Sequence, residues 1–174
     1  MDVFEKHFEM LRKNEEIFKK YSVKTENGLR FSNNKEKDFY KNGKNLLSIE
    51  VIEYFLEVRS IHYHNVINMK LKQYSFSEWI VCLEENVLLD YALPIFSRVL
   101  QEYPMLCGMQ CEWQVLYEIT KIKEDFWMVH KKWKEYFIEI LKRFCSNYTK
   151  EELIDIFSEE YFYQFETFIG KEYI

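Results

Sequence analysis

The chain has 174 residues, a formal net charge of −5 and four cysteines. This length is typical of one domain, and the acidic balance argues against a general affinity for nucleic acid. The N-terminus lacks a basic region followed by an apolar run, and no apolar segment approaches the roughly 20 residues of a membrane span. We therefore expect one soluble, cytoplasmic domain over residues 1–174, without a membrane segment.

Residues 3–20 predict a surface helix, because apolar residues recur on one helical face and charged residues fill the remainder. The inward positions are Phe4, Phe8, Leu11 and Phe18. A polar loop is expected at about residues 22–45, where Asn27-Gly28, Asn33-Asn34 and Asn42-Gly43 are turn dipeptides. A short hairpin is expected within this loop, around residues 29–31.

Short helices are predicted for the middle of the chain. Ser48 can cap a helix that ends near residue 59. Residues 60–72 fit both a strand period and a helix, and we favour the helix because the flanking segments are helical.

Two further helices are expected before the aromatic-rich part of the chain. Ser75 or Ser77 can cap a helix over about residues 78–91. Pro94 is tolerated in a first helical turn and therefore begins a separate helix, which Pro104 ends.

The segment from Gly108 to Cys145 carries the longest helical pattern. Its large apolar residues follow one another at gaps of three or four, which keeps them on one helical face. They are Trp113, Leu116, Ile119, Ile122, Phe126, Val129, Trp133, Phe137, Ile140 and Phe144. We expect a long central helix buried against several others, and residues 121–125 are the point at which it would divide.

Thr149 and Glu152 have the spacing of a capping box at the start of a last helix. In that motif the hydroxyl and the carboxylate each accept a hydrogen bond from the other residue's backbone amide. Gly170 can end this helix. The sequence therefore predicts an all-α fold, a bundle of about six helices packed around the aromatic-rich central helix.

The four cysteines lie in apolar helical patterns, which favours reduced, buried thiols. Cys107 and Cys111 have a spacing that could serve zinc, but such a site needs four ligands and no second Cys or His pair matches. The glycines are scattered and form no phosphate-binding loop. We expect no metal and no other cofactor.

One short segment has the composition of a catalytic motif. Residues 59–64 read Arg-Ser-Ile-His-Tyr-His and resemble the Arg-x4-His motif of the HEPN superfamily, helical proteins that include many metal-independent ribonucleases. The resemblance implies that Arg59 would stabilise charge on an RNA phosphate and that His64 would be the acid–base group, roles that suit these side chains. The sequence departs from the family at Ser60, where Asn, Asp or His is usual, and in the early position of the motif.

Charge is distributed unevenly over the last third of the chain. Residues 121–145 carry seven Lys or Arg and four Asp or Glu, whereas residues 146–174 carry two and seven. The polar face of the last helix is therefore a candidate surface for a basic protein partner. Its candidate contact residues are Glu151, Glu152, Asp155, Glu159 and Tyr163. The alternative is a solvated face that the preceding basic helix neutralises.

We expect a small cytosolic binding or inhibitor protein that neutralises a protein partner, of the immunity-protein or phage-inhibitor kind. Small size, an acidic helix and many aromatic residues favour this hypothesis over an enzyme, and no complete catalytic motif occurs. Two alternatives stay open: a ribonuclease that uses Arg59 and His64, and a structural or regulatory helical homodimer.

Overall fold

The computed structural model describes residues 9, 12, 13, 15–17, 33–108 and 113–170. Regular structure in these ranges is helical apart from one isolated bridge between Asn42 and Lys70, which confirms the all-α prediction. The ten α-helices of the ranges 33–108 and 113–170 are α1 Asn33–Asp38, α2 Ile49–Glu57, α3 Ile61–Asn68, α4 Phe76–Glu84, α5 Leu89–Glu102, α6 Gln114–Thr120, α7 Glu124–Val129, α8 Lys131–Cys145, α9 Lys150–Phe157 and α10 Glu159–Ile169. The helices are thus shorter and more numerous than the six that we expected.

The chain divides into two compact units, Met1–Ile95 and Phe96–Ile174, and α5 crosses the boundary. In the first unit, α3 packs against α2 and α4. In the second unit, α10 packs against α6, α8 and α9. The expectation of one domain stays a prediction.

The polar loop predicted at residues 22–45 is wrong in its second half. Helix α1 occupies residues 33–38, and a 3₁₀ turn covers Gly43–Asn45. The hairpin expected around residues 29–31 and the inward positions of the first predicted helix lie outside the described residues.

Local capping signals located the next helices. The Ser48 hydroxyl accepts a hydrogen bond from the Val51 amide at 3.4 Å, and the Ser75 hydroxyl accepts one from the Ser77 amide at 3.3 Å. Helix α3 over Ile61–Asn68 confirms the preference for helix over strand, but it ends before residue 72, and a separate 3₁₀ turn covers Leu71–Gln73. Helix α5 begins five residues before Pro94 rather than at it.

The predicted central helix is wrong, because three helices, α6, α7 and α8, occupy its place. The first break lies at residues 121–123, within the segment where we expected one, and the second lies at His130. At the second break the chain folds back, since Lys134 Nζ and Glu124 Oε2 are 2.8 Å apart. Ten residues of continuous helix would separate these positions by about 15 Å along the axis.

The break at His130 changes which side chains of the second unit are buried. Trp127 is only 1% exposed, and its ring centroid lies 6.3 Å from that of Phe137, which is fully buried. Val129, predicted to face inward, is 79% exposed. Phe126 and Trp133 are half-buried. A reversal of the chain, rather than one helical stripe, therefore forms this part of the core.

The last predicted helix begins and ends as expected but is not continuous. The Glu152 amide donates to Thr149 Oγ1 at 3.2 Å, and the Thr149 amide donates to Glu152 Oε2 at 2.8 Å. This confirms the capping box. Gly170, with φ of 98°, ends α10. Between these ends the chain leaves the helical conformation at one residue.

That residue is Ser158, whose φ of 66° and ψ of 162° separate α9 from α10. Lys150 Nζ lies 3.7 Å from Glu166 Oε1, although 16 residues of continuous helix would span about 24 Å. The two helices therefore fold back on each other, and the prediction of one final helix is wrong.

The burial of Phe137 yields a stability prediction. Phe137→Ala should lower the free energy of unfolding by about 3–5 kcal/mol, because it removes a buried ring and leaves a cavity. Val129→Ala, at an exposed position of the same predicted stripe, should change it by less than about 0.5 kcal/mol. Urea titrations measure both values, and an equal loss in the two variants would contradict the chain reversal at His130.

Candidate functional site

The predicted partner-binding carboxylates lie on two helices rather than on one. Glu151 and Asp155 are exposed on α9, and Glu159 is exposed at the start of α10. Among the residues that the structure describes, no Lys, Arg or His forms an ion pair with these three side chains. Their charges therefore face solvent, without a cation from the described part of the chain in contact.

The other two predicted contact residues have local partners. Glu152 uses one carboxylate oxygen in the capping box of α9, so its first role is to begin that helix. The exposed Tyr163 donates its hydroxyl to Glu159 Oε1 at 3.3 Å, one helical turn away. The structure thus places an aromatic ring beside an exposed carboxylate on α10.

The alternative hypothesis is that basic residues of α8 neutralise the acidic face. Lys134 instead contacts Glu124 of α7 at 2.8 Å. Arg143 Nη2 donates to the backbone oxygen of Gln101 at 2.8 Å, near the end of α5. Such bonds suit bases near helix C-termini, where backbone carbonyls lack helical partners. Because Lys134 and Arg143 make these other contacts, they favour the hypothesis that the acidic face is not neutralised by α8.

Arg59 and His64, the residues of the ribonuclease alternative, lie in and after the connection between α2 and α3. Arg59 is exposed and forms no hydrogen bond or ion pair with another described residue. His64 lies within α3, and its Nε2 atom is buried without a hydrogen-bond partner in the described part of the chain. No described contact joins the two side chains.

The structure assembles four polar residues that the sequence analysis did not identify as a group: His62, Asn65, Ser75 and Glu78. Glu78 is 3% exposed. Its Oε1 accepts from Asn65 Nδ2 at 3.0 Å and lies 3.0 Å from His62 Nδ1. Its Oε2 accepts from the amide and the hydroxyl of Ser75, at 2.9 and 2.5 Å. We call this group the Glu78 network.

Electrostatics keep Glu78 ionised in this nearly dry position. Burial raises the pKa of Glu78, but hydrogen bonds from Ser75, His62 and Asn65 outweigh burial and hold the pKa below its ordinary value of 4.5. The carboxylate joins α3 to the start of α4, and it also fixes the orientation of the partly exposed imidazole of His62. The link between the two helices and the fixed orientation of His62 both arise because hydrogen bonds compensate the buried charge of Glu78.

The sequence contains one weak signal for this network. Ser75 and Glu78 have capping-box spacing, and the structure forms that box. His62 and Asn65 come from another helix, so packing of α3 on α4 brings them to the carboxylate.

Within the described ranges, no three His, Cys, Asp or Glu side chains are arranged to hold a metal ion. Cys82 and Cys145 are free and buried. Cys107 is buried, and its Sγ donates to the backbone oxygen of Gly108 at 3.2 Å, whereas Cys111 lies outside these ranges. No helix in the part of the chain that the structure describes is long and apolar enough to cross a membrane.

Comparisons with protein-family models, with curated proteins and with solved structures found no match. A function has to be inferred from the side chains of this chain and their contacts.

The Glu78 network predicts a pH-dependent stability. Glu78→Gln should lower the free energy of unfolding at neutral pH by about 1–3 kcal/mol, because at least one buried donor loses its charged acceptor. The folded pKa of Glu78 lies below the ordinary value of 4.5. The carboxylate therefore stabilises the fold above that value, and this contribution is lost as pH falls through the folded pKa.

Urea titrations of wild type and variant at neutral and acidic pH measure this effect, and the difference between them should shrink on acidification. Glu53→Gln is the matched control, because Glu53 is exposed on α2 and has no described partner. A Glu78→Gln effect that does not change with pH would contradict an ionised buried carboxylate.

Proposed function

We propose that the protein binds a basic protein partner through its C-terminal acidic surface, defined as Glu151, Asp155, Glu159 and Tyr163. The observation that carries this proposal is the set of exposed carboxylates, on both sides of Ser158, that lack a cationic contact among the described residues. Such charges are available to a partner without first breaking an ion pair within the described ranges.

The two kinds of side chain on this surface have different roles. Exposed carboxylates act mainly on the rate of association, because they attract a basic surface over distances of about 8–10 Å at physiological salt. Tyr163 offers an exposed ring with a polar end, and aromatic residues of this kind contribute disproportionately to binding energy. Glu152 adds charge at the edge of the surface while it caps α9.

We propose that this binding neutralises the basic partner, as an immunity protein or a phage-type inhibitor would. Support comes from the small size and the polarity of the surface. The buried free thiols of Cys82 and Cys145 suit the reducing compartment in which such a protein would act.

The two alternative functions have less support. Phosphate cleavage by Arg59 and His64 needs an accessible imidazole, whereas Nε2 of His64 is buried. A structural or regulatory homodimer stays a prediction, and no described contact favours it over a heterologous partner.

The test is capture of a partner at low salt by the tagged protein, followed by comparison of charge variants. We expect a basic protein that elutes as salt rises. The double variant Asp155→Lys with Glu159→Lys should keep its fold, because both residues are exposed, yet associate several-fold more slowly at low salt. The loss should be smaller at high salt, since ions screen exposed charges.

The matched control is Asp125→Lys with Glu135→Lys, which makes the same change in net charge at exposed positions of α7 and α8. This control should retain most of the association rate. Equal slowing in both double variants would indicate a general charge effect, and unchanged binding in both would remove the C-terminal acidic surface as the contact.

A further inference from the structure

Helix α2 leaves part of its apolar surface uncovered within the first unit. Ile49 is 65% exposed and Leu56 is 57% exposed. Ile52 is half-buried and Phe55 is fully buried. The helix therefore buries one apolar face and presents further large aliphatic side chains to solvent.

The exposed aliphatic residues form a continuous stripe. Successive residues of an α-helix are rotated by about 100°, so Ile49, Ile52 and Leu56 fall within about 60° of one another around the axis. Phe55 points about 100° away from Leu56, toward the buried face. We call Ile49, Ile52 and Leu56 the α2 stripe. Contiguous apolar surface of this kind is typical of interaction sites, whereas isolated exposed residues are not.

One flank of the α2 stripe is acidic. By the same rotation, Glu53 and Glu57 lie about 40° and 80° from Ile49. Both are exposed, and neither forms an ion pair with another described residue. Glu50 is also exposed but is engaged at the start of the helix, where hydrogen bonds from its own backbone amide and Ser48 lower its pKa. The helix contains no Lys or Arg.

Two other ways of covering the stripe fit the structure less well. Glu15 Oε2 accepts a hydrogen bond from the Phe76 amide at 3.3 Å, which locates Glu15 at the start of α4. A second copy of the chain that packed its own α2 antiparallel on the stripe would bring Glu53 and Glu57 against like charges, which is unfavourable. The acidic flank instead complements a basic partner.

We infer that the α2 stripe docks an amphipathic helical segment of another protein, whose apolar face covers Ile49, Ile52 and Leu56 and whose Lys or Arg residues meet Glu53 and Glu57. Recognition of this kind uses apolar anchors at helical spacing for affinity and flanking charges for orientation. The inference concerns the first unit and does not depend on the C-terminal acidic surface.

The test uses a fluorescent synthetic peptide of about 18 residues with Leu on one helical face and Lys on the other. A second peptide carries Glu in place of Lys. Fluorescence anisotropy with the full chain should show tighter binding of the Leu/Lys peptide. The double variant Ile49→Ser with Leu56→Ser should weaken that binding by about tenfold or more, because it removes both exposed anchors.

The matched control is Met128→Ser with Val129→Ser, which removes two exposed aliphatic side chains from α7 and should leave peptide affinity unchanged. A charge exchange supplies a second measurement. In the variant Glu53→Lys with Glu57→Lys, the preference should reverse in favour of the Leu/Glu peptide. Circular dichroism verifies that each variant retains its helices.

Four results would overturn the inference. One is unchanged Leu/Lys binding by the Ile49→Ser, Leu56→Ser variant. Another is an unreversed preference in the Glu53→Lys, Glu57→Lys variant. A third is a wild-type dimer in sedimentation that becomes monomeric in the Ile49→Ser, Leu56→Ser variant, since a second copy would then cover the stripe. Peptide binding that depends on Asp155 and Glu159 alone would also reject the α2 stripe, while leaving the proposed function intact.

Discussion

Burial of large aromatic rings is the constraint on which the described structure depends most. The chain contains 15 Phe, 13 Tyr and four Trp but only four Gly. Rings prefer edge-to-face or offset contact with other rings, and a long straight helix keeps its own rings apart along the axis. The reversals at His130 and Ser158 bring rings together instead. The Phe157 and Phe165 centroids are 4.7 Å apart, whereas eight residues of continuous helix would separate them by about 12 Å.

The first unit adds a polar constraint to this apolar packing. A buried carboxylate is costly unless hydrogen bonds replace its water, and the Glu78 network supplies four such interactions from two helices. Because these partners must all be in place together, the network restricts how α3 can sit on α4. It also presents the His62 imidazole in a fixed orientation, a feature that the proposed binding function does not use.

The two proposed interaction surfaces rely on different physical effects. The C-terminal acidic surface has carboxylates that lack a cationic partner among the described residues and one exposed ring, so its contribution is chiefly long-range attraction that salt weakens. The α2 stripe has aliphatic anchors with an acidic flank, so removal of apolar area from water supplies the affinity and charge supplies selectivity. Both surfaces favour basic partners, which is consistent with the negative net charge of the chain.

The sequence by itself determined the helical class and the helix starts at Ser48 and Thr149, because each cap and its partner lie within three residues. It restricted a third start to Ser75 or Ser77, and the structure selects Ser75. It also predicted that Glu151, Asp155 and Glu159 lie on a polar face, and these side chains are exposed. Only the tertiary structure decided where the long patterns break, that Val129 faces solvent and that His62 meets Glu78 across 16 positions. Those outcomes depend on which distant side chains pack together, and a periodic pattern reports only which residues share a face of an unbroken helix.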